Sequence, residues 1–211
     1  LYAALGKDFS EKNKKLLGTP FAQFLKLTSE VRALFKVGEK QHIAARLMGG
    51  VLWSYGNQTI APYSEQFYIG GANSLRAFTV RSLGPGTYNP GENTKYGYLD
   101  QTGDIKLEAN VEYRFPIFGE LYGATFLDAG NVWLMRKDES RPGGELTLKN
   151  FAKSIALNTG VGVRYDLTFL VIRLDMGIAL HVPYETGKSG YYNIPKFKDG
   201  LGLHFAIGYP F

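Results

Sequence analysis

Asp104-Ile105-Lys106-Leu107-Glu108-Ala109-Asn110-Val111-Glu112-Tyr113-Arg114-Phe115-Pro116-Ile117 alternates apolar and polar residues for fourteen positions. A β-strand points successive side chains to opposite faces. Ile105, Leu107, Ala109, Val111, Tyr113, Phe115 and Ile117 therefore share one face, and Asp104, Lys106, Glu108, Asn110, Glu112 and Arg114 the other. One face is wholly apolar and the other densely charged. The run is about twice the length of an ordinary soluble strand, which is ~5–6 residues. A strand that crosses a bilayer needs ~9–11 residues with only one face apolar.

The same pattern recurs outward from this stretch. Leu201, Leu203, Phe205, Ile207, Tyr209 and Phe211 alternate with Gly202, His204, Ala206, Gly208 and Pro210. Residues 170–181, 155–166 and 41–56 alternate likewise, while 21–37 and 121–134 do so less cleanly. This predicts about seven strands of spanning length. Short turns are expected at 37–40, 118–120 and 166–168, and long polar loops at 57–103, 135–154 and 182–199. Short turns on one side and long loops on the other is the outer-membrane arrangement, with the long loops outside. Trp53, Tyr55 and Trp133 then fall near the outer strand ends, and Tyr113, Phe115, Tyr165, Tyr209 and Phe211 near the inner ends, as two interfacial girdles. A soluble sandwich or lipocalin-like barrel would alternate as strongly, but with shorter strands and the apolar face inward.

Composition agrees with strands and turns. The chain has 211 residues, 26 Gly, 14 Tyr, 14 Phe and a net charge of +5. Its mean hydropathy is −0.15, and no stretch reaches the ~18 apolar residues of a membrane helix. There is no Cys, so no disulfide or thiolate metal site. The basic run 7–15 reads as a solvated loop, and no nucleic-acid partner is expected. His42, His181 and His204 lie on separate elements without ligand spacing, so no metal and no cofactor are expected. No catalytic motif appears, and Gly70-Gly71 lacks the residues of a phosphate loop. The chain starts at Leu1, which fits a processed protein or a piece of a longer one. Barrels of one bacterial chain close with an even strand number, from eight upward, so partner strands are expected upstream.

The loop 57–103 carries Phe67-Tyr68-Ile69-Gly70-Gly71-Ala72-Asn73-Ser74-Leu75-Arg76-Ala77-Phe78 and then Ser82-Leu83-Gly84-Pro85-Gly86. It resembles the sixth extracellular loop of the BamA superfamily, the bacterial surface antigen family of outer-membrane assembly and translocation proteins. Three further stretches resemble that family's later strands in order: Val111-Glu112-Tyr113-Arg114-Phe115-Pro116, then Phe126-Leu127-Asp128-Ala129-Gly130-Asn131-Val132-Trp133, then Gly160-Val161-Gly162-Val163-Arg164-Tyr165-Asp166 with Arg173-Leu174-Asp175-Met176-Gly177. The resemblance implies an all-β transmembrane antiparallel barrel of sixteen strands, of which residues 1–211 are about the last seven. The remaining strands and periplasmic POTRA domains would precede them. The family's apolar-Arg-Gly-aromatic tetrad reads Leu75-Arg76-Ala77-Phe78 in this chain. That variant is similar to the TamL-type lipoproteins of Bacteroidota.

The resemblance also implies a site. The loop would fold back into the lumen and be locked there by Arg76 pairing with Asp128, with Glu112 nearby; Gly70, Gly71, Leu75, Ala77, Phe78, Gly84 and Pro85 would shape it. Bidentate pairing of guanidinium and carboxylate fixes orientation as well as adding energy. Gly160, Gly162 and Gly177 would leave room for the loop backbone. The last strand, with Phe205, Ile207, Gly208, Tyr209 and Phe211, would meet the first at a lateral seam. The implied activity is assembly and insertion of outer-membrane proteins without covalent chemistry. Its implied partners are outer-membrane lipids, unfolded outer-membrane proteins, and periplasmic or lipoprotein accessory subunits. A two-partner-type secretion pore is the alternative; a barrel phospholipase or passive porin is an alternative of another class.

Overall fold

The computed structural model describes residues 14–16, 18–89 and 101–211. The basic run 7–15 and part of the long loop thus fall largely outside the described residues. A two-residue ladder of β1 (Lys15–Leu16) and β2 (Thr19–Pro20) comes first. Seven strands follow: β3 (Gln23–Lys36), β4 (His42–Tyr55), β5 (Ile105–Phe118), β6 (Leu121–Trp133), β7 (Ala156–Asp166), β8 (Val171–His181) and β9 (Leu201–Ile207). They form one antiparallel sheet in chain order, each strand paired with the next. The fold is all-β, as the alternation predicts, and among the described residues no helix is long and apolar enough to cross a membrane.

Connections alternate in length. β3 and β4 join through a tight turn closed by Val37 N–H to the Gln41 carbonyl at 3.0 Å. β5 and β6 join through Gly119 and Glu120, and β7 and β8 through a turn in which the Asp166 carboxylate accepts the Thr168 N–H at 2.9 Å. The other three connections are long and lie at the opposite end. In one of them Ser140 and Arg141 hydrogen-bond Asp138 and hold its carboxyl down to about 2.

Burial is inverted relative to a soluble protein. Phe205 is 69% exposed and Leu203 70%, whereas Glu112, Asp128, Arg164, Arg173 and Asp175 are fully buried. Along β4, β5, β7 and β8 the more apolar parity faces outward and the more polar parity inward; β3 and β6 are mixed. Leaving so much apolar surface in water would cost about 25 cal/mol per Å²; hydrocarbon removes that cost. The apolar core sits instead between the long loops and the inner face of the sheet, around Leu52, Ile69, Leu75, Leu83, Val132 and Ile194. An arginine on the outward face, Leu47→Arg in the middle of β4, is expected to lose ~2–4 kcal/mol of stability in phosphatidylcholine vesicles. Urea unfolding of the full-length protein measures this, and an unchanged midpoint would sink the lipid-facing assignment.

Two expectations about aromatics need correction. Trp133 is not a girdle residue: it is buried, stacks on Phe151 at 5.7 Å, and donates its indole N–H to the Ser154 hydroxyl at 3.0 Å. The short helix α1 (Phe151–Ser154) covers it. The last strand is also shorter than its alternation suggests. β9 stops at Ile207, because Gly208 takes a left-handed φ of +86°, and Tyr209 and Phe211 do not continue along the outward face. Trp53, Tyr55 and Tyr165 remain exposed at strand ends, where the girdles are expected.

Candidate functional site

Strand register fixes which inward side chains meet. One row across the sheet reads Arg46, Asn110, Asp128, Asn158, Ala179 from β4 to β8. The next reads Ala44, Glu112, Phe126, Gly160, Gly177, Gly202 from β4 to β9. A third reads His42, Arg114, Ala124, Gly162, Asp175, His204, and a fourth contains Tyr122, Arg164, Arg173 and Ala206. Residues distant in sequence thus become a compact polar floor with a glycine trench on one side.

The loop settles on that floor. Gly70 and Gly71 both have left-handed φ, +96° and +91°, which only glycine adopts without strain. They fold the segment back on itself: the Gly71 N–H reaches the Phe78 carbonyl at 2.7 Å, and Arg81 N–H the Ile69 carbonyl at 2.9 Å. Leu75 and Phe78 are buried beneath the fold, and Arg76 comes to its tip. Farther along, the Gly86 N–H donates to the Val132 carbonyl at 2.7 Å, and Asn131 donates to the Gly86 carbonyl at 2.8 Å. Gly84, joined to Pro85 by a cis peptide, packs against Asn131 and Val132.

Arg76 meets both carboxylates. Its Nε and Nη2 donate to Asp128 at 3.0 and 2.9 Å in a bidentate fork, and its backbone N–H donates to the same carboxylate at 3.2 Å. Asn110 and Asn158 supply two more donors to Asp128, at 2.9 and 3.0 Å. Arg76 Nη1 pairs with Glu112, which also accepts from Arg164 at 2.9 Å and Arg114 at 2.7 Å. The face of the Arg76 guanidinium lies 3.5 Å from the Phe126 ring centre. Asp175 closes the cluster between Arg164 at 2.5 Å and Arg173 at 2.9 Å. Burying ions this deeply is tolerable only because Asp128 and Glu112 are each met by several donors and Asp175 lies between two guanidiniums.

Other residues grip the loop that the sequence did not single out. Arg173 donates to the Ala72 carbonyl at 2.9 Å and to the Asn73 side chain. Arg46 donates to the Asn73 carbonyl at 2.9 Å and pairs with Glu108. The Ser74 hydroxyl donates to Glu108 at 2.8 Å, and the Ser74 carbonyl accepts from Asn110 at 3.1 Å. The signal for Arg46, Glu108, Asn110, Asn158, Arg164, Arg173 and Asp175 was strand parity, since all lie on inward positions. Nothing in sequence order ties Asn73 or Ser74 to them.

The glycines divide their roles. A side chain at Gly177 or Gly202 would strike the backbone of Arg76 and Ala77. Gly160 instead makes room for the Phe126 ring, and Gly162 for Asp175 and Arg164. Ala77 occupies the tetrad's glycine position without a left-handed φ, as Arg81 and Thr168 are the non-glycine residues with positive φ among those described. Ala77→Gly is therefore expected to cost no more than about 1 kcal/mol, through backbone entropy alone. A larger loss in urea unfolding would show that the methyl group packs against the loop's seat.

The cluster holds the loop through fixed charges. Guanidinium groups do not deprotonate in proteins and cannot act as general bases. Among the described residues no three His, Asp or Glu side chains gather as metal ligands. His181 joins two long loops, its ring nitrogens lying 2.9 Å from the Lys153 carbonyl and 2.7 Å from that of Tyr191.

A model of the Omp85 superfamily domain matches residues 9–211. The chain belongs to the Omp85 superfamily. It is 36% identical over 90 residues to the outer membrane protein assembly factor BamA of Neisseria meningitidis, covering 40% of this chain and 11% of that protein. It is 29% identical over 150 residues to the human sorting and assembly machinery component 50 homolog, covering 68% of this chain and 30% of the relative. The fold is similar to the crystal structure of BamA from Haemophilus ducreyi lacking POTRA domains 1–3, with a TM-score of 0.59, 15% identity, and coverage of 88% of this chain and 35% of that one. This Omp85 chain thus spans about a third or less of the lengths of these relatives. It is an integral outer-membrane β-barrel segment, as the resemblance implied.

Proposed function

We propose that this chain is the later part of the barrel of an outer-membrane protein assembly factor, with the loop locked inside by Arg76. The observation that carries the reading is the seated loop: Arg76, at the tip of the Gly70-Gly71 fold, reaches Asp128 and Glu112 on two different strands. Relatives named as an assembly factor and as a sorting and assembly component share this region. The residues 57–103 are then an extracellular loop folded into the lumen, and upstream strands with POTRA domains complete the barrel. Its partners would be outer-membrane lipids, unfolded outer-membrane proteins and accessory subunits.

A lateral seam fits the same reading. β9 pairs over 7 residues, whereas β3 to β6 run 13 or 14. A short edge strand with Gly202 inside it and Pro210 after it has few ladder bonds to hold a closed barrel. Such a factor would work by opening that edge and disturbing the bilayer, without covalent chemistry. Depletion of the full-length protein tests this. A fall in several unrelated barrel proteins of the outer membrane is expected. Normal levels of all of them would refute assembly, and loss of one exported protein alone would favour a secretion pore.

A further inference from the structure

The segment Gly208–Phe211 breaks the rule that governs β9. By strand parity Tyr209 and Phe211 belong with Leu203, Phe205 and Ile207 on the apolar outward face. The left-handed Gly208 turns them the other way; its N–H still donates to the Val171 carbonyl at 2.7 Å, so the turn begins right at the strand end. Tyr209 comes to lie 4.2 Å from the Arg114 guanidinium. Phe211 lies 5.2 Å from that of Arg46 and 6.0 Å from that of Arg76. Arg114 is on β5 and Arg46 on β4, four and five strands away from β9 in the sheet. The segment therefore reaches across the inner face.

Each of these guanidiniums divides its chemistry. In-plane N–H groups of each reach acceptors: Arg114 donates through Nε to Glu112, Arg46 to Glu108 and Asn110, and Arg76 to Asp128 and Glu112. A flat face of each remains for an aromatic ring, which attracts a cation within about 6 Å of the ring centre; Arg76 already carries Phe126 at 3.5 Å on one side and meets Phe211 at 6.0 Å. Their carboxylate partners anchor the three groups, and two rings two residues apart, Tyr209 and Phe211, reach them.

We propose that Arg114, Arg46 and Arg76 form an aromatic-binding seat on the inner face, for a strand end carrying two aromatic rings at alternate positions, and that Tyr209 and Phe211 are its resident occupants. The seat couples two parts of the molecule. The Arg76 that holds the loop to Asp128 also faces Phe211, so withdrawing the strand end removes a contact from the loop's own clamp. The competing arrangement is the continued strand, with both rings in the interfacial belt. Gly208 is the pivot between them, since a β-branched residue disfavours its φ.

The test places 4-fluorophenylalanine at position 211 or at position 205 of the full-length protein, in phosphatidylcholine vesicles containing a lipid with a nitroxide on its acyl chain. Phe205 is on the outward face and reports lipid contact, and its signal also shows that the protein has folded and inserted. The fluorine signal at 205 is expected to broaden strongly, and that at 211 several-fold less. Gly208→Val, or Arg46→Met with Arg114→Met, is expected to bring the 211 signal to the broadening seen at 205. A 211 signal broadened like 205 in the parent protein overturns the proposal. So does one that stays sharp whatever is done to Gly208 and the two arginines, because the ring would then be inside without using the seat. Neither result depends on whether the protein assembles other barrels.

Discussion

Arg76→Ala is expected to release the loop 67–86 from the inner face and to cost ~3–5 kcal/mol, the range for removing one partner of a buried ion pair. The size follows from what is left behind. Asp128 loses three of its five hydrogen bonds, keeping those from Asn110 and Asn158 apart from the backbone N–H that moves with the loop. Glu112 retains Arg164 and Arg114, so the uncompensated charge falls mainly on Asp128. Protease cleavage within 70–86 in full-length protein in vesicles measures release, and urea unfolding measures the loss. Asp128→Ala should couple strongly to it. If the two single effects simply add in a double-mutant cycle, Arg76 and Asp128 do not act as a pair. Arg76→Lys should recover only part of the loss, because an ammonium cannot span both carboxylate oxygens and a second acid at once.

The strand pattern was legible because a lipid-facing sheet has the simplest of codes: apolar at one parity, polar at the other. That code placed β3 to β8 to within a few residues and put Asp128, Glu112, Arg164, Arg173 and Asp175 on a common face. It failed wherever the backbone leaves the strand. Tyr209 and Phe211 keep the parity of β9 in sequence, but one left-handed glycine sends them inside. Trp133 also sits at an outward position, yet α1 folds over it from the following loop. Sequence shows which face a residue would take if the strand ran on, and carries no sign of a covering loop. Gly202 illustrates the same limit: parity puts it on the inward face, but only the fold shows that its neighbour is the backbone of Arg76, 2.7 Å from where its Cβ would be. The loop's grip through Asn73 and Ser74 was hidden because short polar side chains in a glycine-rich loop look alike until the loop is folded.

Gly177→Val is expected to release the loop as fully as Arg76→Ala does, although it removes no charge and no hydrogen bond. A Cβ on Gly177 would sit 2.5 Å from the Arg76 carbonyl carbon and 2.6 Å from the Ala77 nitrogen. Those are backbone atoms, so they cannot turn aside as a flexible side chain would. The loop cannot rise to make room either, since Arg76 must keep hydrogen-bond distance to Asp128 while its guanidinium lies on Phe126. Overpacking in a closed site costs ~1–3 kcal/mol where neighbours can adjust; with adjustment blocked at the backbone, the cheaper response is to vacate the trench. Cleavage within 70–86 should therefore rise to the level of Arg76→Ala, and adding Arg76→Ala should raise it no further. Gly49→Val is the matched control: it is also mid-strand, but its Cβ would find its nearest neighbour, the Lys106 carbonyl, at 4.0 Å. It should leave the loop protected. If Gly177→Val also leaves the loop protected, β8 and β9 can move away from it, and the trench is a consequence of the loop's position rather than one of its causes.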